Sequence, residues 1–345
     1  MPSLMDLPKE IRAMILKEVI NGHRTPPISP SKSNMIELLD MPYKGNVEHS
    51  RLHHEKRDTH SQSNSLSLLL TSRQISIETQ STLCRMQKTT YVLDISVLNE
   101  LDLFSTWISV PQLTTRLSTL HVDIRLFGRI ITSAEGRDQM GCGGRLGFHW
   151  LFYGLLERFL RYGPVGAKKG PCDIDSFGDT CYKNRKISVE NLILDFHSAE
   201  TELPYPPDDL GFKEWTNKHW GERWPIDEPE QEDKSLAYKT RPEWLLEYLK
   251  DSLEDVTAMG YHTSQYGAFI YKRIGTISML VDGKLETTFD LAGRLAGFHF
   301  DRPGDTMGHL SSEIRLAEFW KWKKATLLKR EALGFPVVWP QDLDI

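Results

Sequence analysis

Two strand-like segments carry most of the side chains that can do chemistry. His121, Asp123 and Arg125 alternate with Leu120, Val122 and Ile124, and Asp195 and His197 alternate with Leu194 and Phe196. Such alternation sends the apolar set to one face of a sheet and the polar set to the other. Asp123 and Asp195 hold the same place in their segments, as do Arg125 and His197. Imidazole, carboxylate and guanidinium groups gathered on one face can hold a polar target. The plainer reading is the wet side of a half-buried sheet.

Other constellations do not add up to a site. The run Gly141-Cys142-Gly143-Gly144-Arg145-Leu146-Gly147 precedes a helical pattern, where backbone N–H groups can face a phosphate. Its third glycine falls one residue late for a dinucleotide fingerprint, no strand immediately precedes it, and no Walker lysine follows. It reads as a loop-to-helix junction. His49, His53, His54 and His60 cluster without a cysteine and read as surface histidines. Cys172 and Cys181 lack a CxxC unit, so no structural metal is expected. No Ser, Cys or Thr lies in a GxSxG context, and Asp208-Asp209 lies in loop sequence. The expectation is therefore no catalytic residue, no metal and no cofactor. Trp215, Trp220 and Trp224 punctuate an acidic segment and read as a recruitment motif or as a lid folded back on the body. Trp320-Lys321-Trp322-Lys323-Lys324, with Lys329 and Arg330, reads as a solvated basic helix face that pairs with the acidic run 227–233, or else as a face for an acidic partner or membrane surface.

The bulk composition narrows the classes. The chain has 345 residues, 39% of them hydrophobic and 26% charged, with a mean hydropathy of −0.40. That is globular composition diluted by polar segments. A net charge of −5 and a pI near 6.2 exclude a general nucleic-acid binder. No run approaches the roughly 20 apolar residues of a membrane span, and no basic-then-apolar leader opens the chain. Cys84, Cys142, Cys172 and Cys181 read as free thiols of a cytoplasmic or nuclear protein.

The elements that must position the polar residues follow from periodicity. Three strands share one apolar spacing: Leu117-x-x-Leu120-x-Val122-x-Ile124, Val189-x-x-Leu192-x-Leu194-x-Phe196 and Ile274-x-x-Ile277-x-Met279-x-Val281. A weaker strand, Tyr91-x-Leu93-x-Ile95, comes first. Helical patterns over 66–86, 97–108, 148–162 and 244–256 precede them. Alternation of this kind predicts an α/β, or possible α+β, domain with strands side by side. The cassettes at 117 and 189 lie far beyond the roughly 20–29-residue period of a leucine-rich repeat, so any likeness to one is degenerate. Asp282-Gly283 predicts a hairpin into 285–291, and a last helix is predicted over 311–332. The domain is expected to span 89–345, with inserted loops at 163–186 and 200–240.

The N-terminal part, 1–88, is predicted to be helical. Leu7, Ile11, Met14, Ile15 and Val19 form one stripe over 8–20, with Pro8 in the first turn. Residues 23–64 are broken by Pro26-Pro27 and Ser29-Pro30 and read as a disordered insertion, dispensable for folding. In the helix over 66–86, Arg73 falls on the face of Leu66, Leu69, Leu70 and Ile77. There it is expected either to be buried and to tie the two helices through Asp6, Glu10 or the free carbonyls that end helix one, or to lie at an edge and snorkel to water.

Leu7-Pro8-Lys9-Glu10-Ile11-Arg12 and Leu68-Leu69-Leu70-Thr71-Ser72-Arg73-Gln74-Ile75 together resemble the F-box-like segment of many fungal proteins. An F-box docks; it does not catalyse. The resemblance implies that Leu7, Pro8, Ile11, Ile15 and Leu70 contact a Skp-type adaptor of a cullin ubiquitin ligase. His121, Asp123, Arg125, Asp195 and His197 would then face an unidentified protein target. The family's third helix has no counterpart after Met86 in the pattern. Two alternatives stand beside the adaptor: an F-box-derived scaffold that binds no ligase, and an enzyme of the α/β domain.

Overall fold

The computed structural model describes residues 4–30, 34–38, 52–55, 63–99, 102–128, 148–164, 185–198, 203–205, 239–260, 263–299 and 312–340. Among them, one eight-stranded mixed sheet organises the chain. Its strands are β1 (Met35–Glu37), β2 (Leu52–Glu55), β3 (Thr90–Leu98), β4 (Asp102–Ser109), β5 (Arg116–Phe127), β6 (Ser188–His197), β7 (Ile274–Val281) and β8 (Lys284–Phe289). They lie in the order β1-β2-β4-β3-β5-β6-β7-β8. The central run β3-β5-β6-β7 is parallel, while β1–β2, β3–β4 and β7–β8 pair antiparallel. The helices are α1 (Lys9–Ile20), α2 (Asn64–Thr71), α3 (Arg73–Arg85), α4 (Phe148–Tyr162), α5 (Pro242–Thr257), α6 (Ser264–Arg273), α7 (Leu291–Gly297) and α8 (Ser312–Ala332). The fold is α/β.

The three apolar cassettes set the register. Leu120, Leu192 and Ile277 stand side by side on β5, β6 and β7, as do Val122, Leu194 and Met279, and then Ile124, Phe196 and Val281. All nine are buried. They join one core with α4, α5 and α6. Phe159 of α4 meets Tyr91 of β3 edge-on, 6.1 Å between ring centres, and lies 5.1 Å from Trp107 of β4. Every residue of α4 from Leu151 to Leu160 is buried, as a helix apolar on nearly all sides must be. Gly275 is required where β7 starts beside β6: a Cβ there would lie 2.3 Å from the Glu190 carbonyl oxygen. The Asp282-Gly283 turn forms as predicted, with both residues at positive φ (48° and 79°).

The last helix keeps Lys321 exposed but buries two of its cations, Lys323 and Arg330, which lock it in place. Arg330 is fully buried and donates to four carbonyls: Tyr271 at 2.9 Å, Ile274 at 2.8 Å, Gly275 at 2.9 Å and Pro336 at 3.1 Å. It therefore closes the junction of α6 and β7. Burial lowers its guanidinium to about 10, still charged at neutral pH. Lys323, also fully buried, donates to the Ala296 and Phe298 carbonyls at 2.7 and 2.8 Å and caps the end of α7. The acidic run 227–233 lies outside the described residues.

The N-terminal part departs from expectation in three ways. First, the segment 23–64 is not wholly disordered. Its strands β1 and β2 extend the sheet beside β4, and Leu38 and Leu52 are buried in the common core. The boundary at 88 thus does not separate two cores. Proline and charge density hid two short strands whose pairing partner is far away in sequence. Second, the helix over 66–86 is broken at Ser72, which takes an extended conformation (φ −155°, ψ 160°) and caps α3 by accepting from the Ile75 N–H. The break resets the helical phase. Arg73 becomes the first, exposed residue of α3, so it is not the buried tie. Third, the tie comes from the other side. Arg12 of α1 meets Glu78 of α3 in a fork, with Nε–Oε2 at 2.9 Å and Nη2–Oε1 at 2.6 Å, and donates to the Leu7 and Met5 carbonyls. The end of α1 is capped by Asn64, whose Nδ2 reaches the Ile20 and Gly22 carbonyls at 2.8 Å.

One further correction concerns 97–108. Val97 and Leu98 end β3, Asn99 takes a left-handed turn (φ 51°), and 102–108 belong to β4, where Phe104-Ser105-Thr106-Trp107-Ile108 is rich in strand formers. The loops 163–186 and 200–240 lie almost entirely outside the described residues, as do Gly141–Gly147, His49, His60, Asp208-Asp209 and the three tryptophans of 215–224.

Two predictions follow from these ties. Arg330→Met leaves buried carbonyls without donors and is expected to destabilise by about 3–5 kcal/mol in chemical denaturation. An unchanged unfolding midpoint would show the network is dispensable. Hydrogen bonding from Arg12 draws Glu78 down to about 2, against the opposing effect of burial. A depressed carboxyl contributes stability above its ordinary value of 4.5 that is lost as pH falls toward 2. Arg12→Met should lower the melting temperature at pH 7 and flatten its dependence between those pH values. Arg73→Met should do neither.

Candidate functional site

The polar faces of β3, β5 and β6 converge near the carboxyl ends of these parallel strands. Asp94, Asp123 and Asp195 stand in one row across the sheet, and Ser96, Arg125 and His197 in the next. Cross-strand neighbours share a face, so the apolar cassettes that bury one side oblige these residues to share the other. Pairing of Asp123 with Asp195 and of Arg125 with His197 is the alignment that the sequence spacing implies.

The row divides into two networks. In the first, Arg125 grips Asp94 in a fork, with Nε–Oδ1 at 2.5 Å and Nη2–Oδ2 at 2.8 Å. Its Nη2 also donates to Ser96 Oγ at 3.1 Å and to the Pro27 carbonyl at 2.8 Å. That last bond fastens the chain leaving α1 onto the sheet. The Asp94 side chain is 2% exposed. Burial pushes its carboxyl above the ordinary value, and the Arg125 hydrogen bonds oppose this.

The second network centres on Asp123. Its Oδ1 accepts from His121 Nε2 at 3.1 Å and His197 Nε2 at 3.3 Å. His197 Nε2 also lies 3.6 Å from Asp195 Oδ2, and its Nδ1 lies 3.4 Å from Asp282 Oδ1. Asp195 is buried and accepts the Gly283 N–H at 3.0 Å, which binds the β7–β8 turn to β6. Burial opposes ionisation of Asp123, but the hydrogen bonds and charges of the two histidines hold it well below the usual carboxylate range. The same bonds raise both imidazoles above their ordinary value, with burial working against them. His121, Asp123 and His197 are each close to 30% exposed, so the cluster opens to solvent. Asp94 and Ser96 escaped the sequence reading although the alternation Tyr91-x-Leu93-x-Ile95 already placed them opposite the core. Asp282 was read only as a turn residue.

The residues that the F-box resemblance would assign to an adaptor lie elsewhere. Ile11 and Leu70 are 43% and 77% exposed, Pro8 is exposed, and Leu7 and Ile15 are half-buried. The side of α1 that packs inward is Arg12, Leu16 and Ile20. The stripe of Ile11, Met14 and Val19 faces out, as do Leu66 of α2 and Ile77 of α3. Among the described residues, no helix is long and apolar enough to cross a membrane. Comparison with known proteins returns no match to a family model, a curated protein or a solved structure.

Arg125→Met strands the buried Asp94 carboxylate and is expected to cost about 3–5 kcal/mol of stability. Adding Asp94→Leu removes the orphaned charge and should restore most of the loss, a coupling readable in a double-mutant cycle. Additive losses would show that the two side chains do not act as a pair.

Proposed function

We propose that the protein is a non-catalytic interaction adaptor. Its N-terminal helices would dock a Skp-type subunit of a cullin ubiquitin ligase, and the polar sheet face would receive a protein target. The observation that carries this reading is the outward apolar surface of α1–α3. Met14 is 64% exposed, Leu70 77% and Ile77 58%, on helices whose own packing is already completed by Leu16, Ile20, Ile75 and the Arg12–Glu78 fork. Apolar surface left over after a unit has closed its own core marks a contact for a partner. The break at Ser72 also gives this unit three helices where periodicity alone predicts two, the number the F-box resemblance calls for.

A second reading, catalysis by the α/β domain, draws support from one observation: the titratable groups converging on Asp123 have shifted pKa values and are open to solvent.

The adaptor reading is tested by pull-down with a purified Skp-type protein. Wild-type chain should be retained. The Ile11→Asp/Leu70→Asp double variant should lose retention at least tenfold while its melting temperature stays within a few degrees, because both positions are exposed. A folded wild-type chain that is not retained favours an F-box-derived scaffold. Equal retention of the double variant would place the contact away from α1 and α2.

A further inference from the structure

We propose that His121, Asp123 and Asp195 form a binding site for a divalent transition-metal ion of the zinc or manganese type, with His197 beside its open position. The inference is independent of the adaptor reading. One donor atom from each of the three residues lies within 4.8 Å of the others. Zinc bonds nitrogen and oxygen at roughly 2.0–2.2 Å, which sets tetrahedral ligands about 3.3–3.6 Å apart. The set therefore needs to close by at most about 1.2–1.5 Å, within the reach of a side-chain torsion. No backbone need move, since the three residues come from two parallel strands in fixed register, where Asp123 stands beside Asp195.

The surroundings have the features of a site held in place by its neighbours. Asp195 spends Oδ1 on the Gly283 N–H at 3.0 Å. Its Oδ2 faces the cluster with its nearest cationic neighbour, His197 Nε2, at 3.6 Å, beyond hydrogen-bond range. The side chain is 6% exposed, so this second oxygen is a buried carboxylate atom turned toward the cluster. Asp282 Oδ1 lies 3.4 Å from His197 Nδ1. That arrangement of carboxylate behind imidazole orients the far nitrogen toward a metal or its bound water. Asp123 and Asp195 carry the two charges that balance a divalent cation. The third carboxylate of the row, Asp94, is already neutralised by Arg125. An imidazole with two carboxylates suits zinc or manganese rather than calcium, which takes 6–8 oxygen ligands. His121, Asp123 and His197 are each close to 30% exposed, so solvent water reaches the cluster.

The test uses the full chain, stripped with chelator and dialysed against zinc alone or manganese alone. One equivalent of ion per chain is expected, with a rise in melting temperature. His121→Ala and Asp195→Asn should each weaken binding at least tenfold. Asp195→Asn keeps an oxygen for the Gly283 N–H, so the turn is preserved. His197→Ala should weaken it by about 10-fold, as loss of an orienting neighbour does. A measurement on the wild-type chain alone guards against unfolded variants: manganese should broaden the ring resonances of His121 and His197 before those of His23 and His299. No stoichiometric uptake, uptake unchanged in all three variants, or uniform broadening of the histidines would overturn the proposal.

Discussion

Parallel pairing of β5, β6 and β7 in a single register is the constraint on which the rest depends. Because side chains alternate along a strand, a slip of one residue would turn every apolar cassette to the wrong face. The match of Leu120 with Leu192 and Ile277, and of Val122 with Leu194 and Met279, forbids that slip. The polar row inherits the same precision. Asp123 meets Asp195, and His197 reaches Asp123, only because the core residues beside them have already been placed. The charged cluster is thus a by-product of apolar packing that the polar residues then exploit.

Buried and half-buried cations do much of the joining between elements. Arg330 closes α6 onto β7, Lys323 ends α7, Arg12 joins α1 to α3, and Arg125 fixes both Asp94 and the Pro27 carbonyl. All four spend donors on backbone carbonyls, and Arg12 and Arg125 each grip a carboxylate as well. A guanidinium suits this work because its five donors can satisfy several acceptors from one buried position. Each such group is costly to bury alone and worth keeping only when fully bonded.

The N-terminal helices and the sheet are one structure, not two modules in series. β1 and β2 lengthen the sheet, Asn64 holds the end of α1, and the stretch after α1 runs to Arg125 on the polar face. A partner bound to the outward side of α1–α3 would therefore sit on a unit bonded directly to the row that holds Asp94 and Arg125.

Much of the sheet was readable without coordinates. Period-two spacing identified β5, β6 and β7, the Asp282-Gly283 hairpin, and the face shared by His121, Asp123, Arg125, Asp195 and His197, because alternation is a local property of the chain. Helices α4, α5 and α8 were equally plain from their apolar periodicity. What the tertiary structure alone decided depended on distant contacts. Two short strands inside 23–64 exist because β4 offers an edge. The break at Ser72 moves Arg73 to the surface and hands the buried role to Arg12, whose partner Glu78 lies 66 residues away. Arg330, taken for a solvated charge, is buried because four carbonyls from α6, β7 and the C-terminal segment happen to surround it. A side chain's charge and spacing are written in the chain, but whether that charge is desolvated depends on what the fold brings to it.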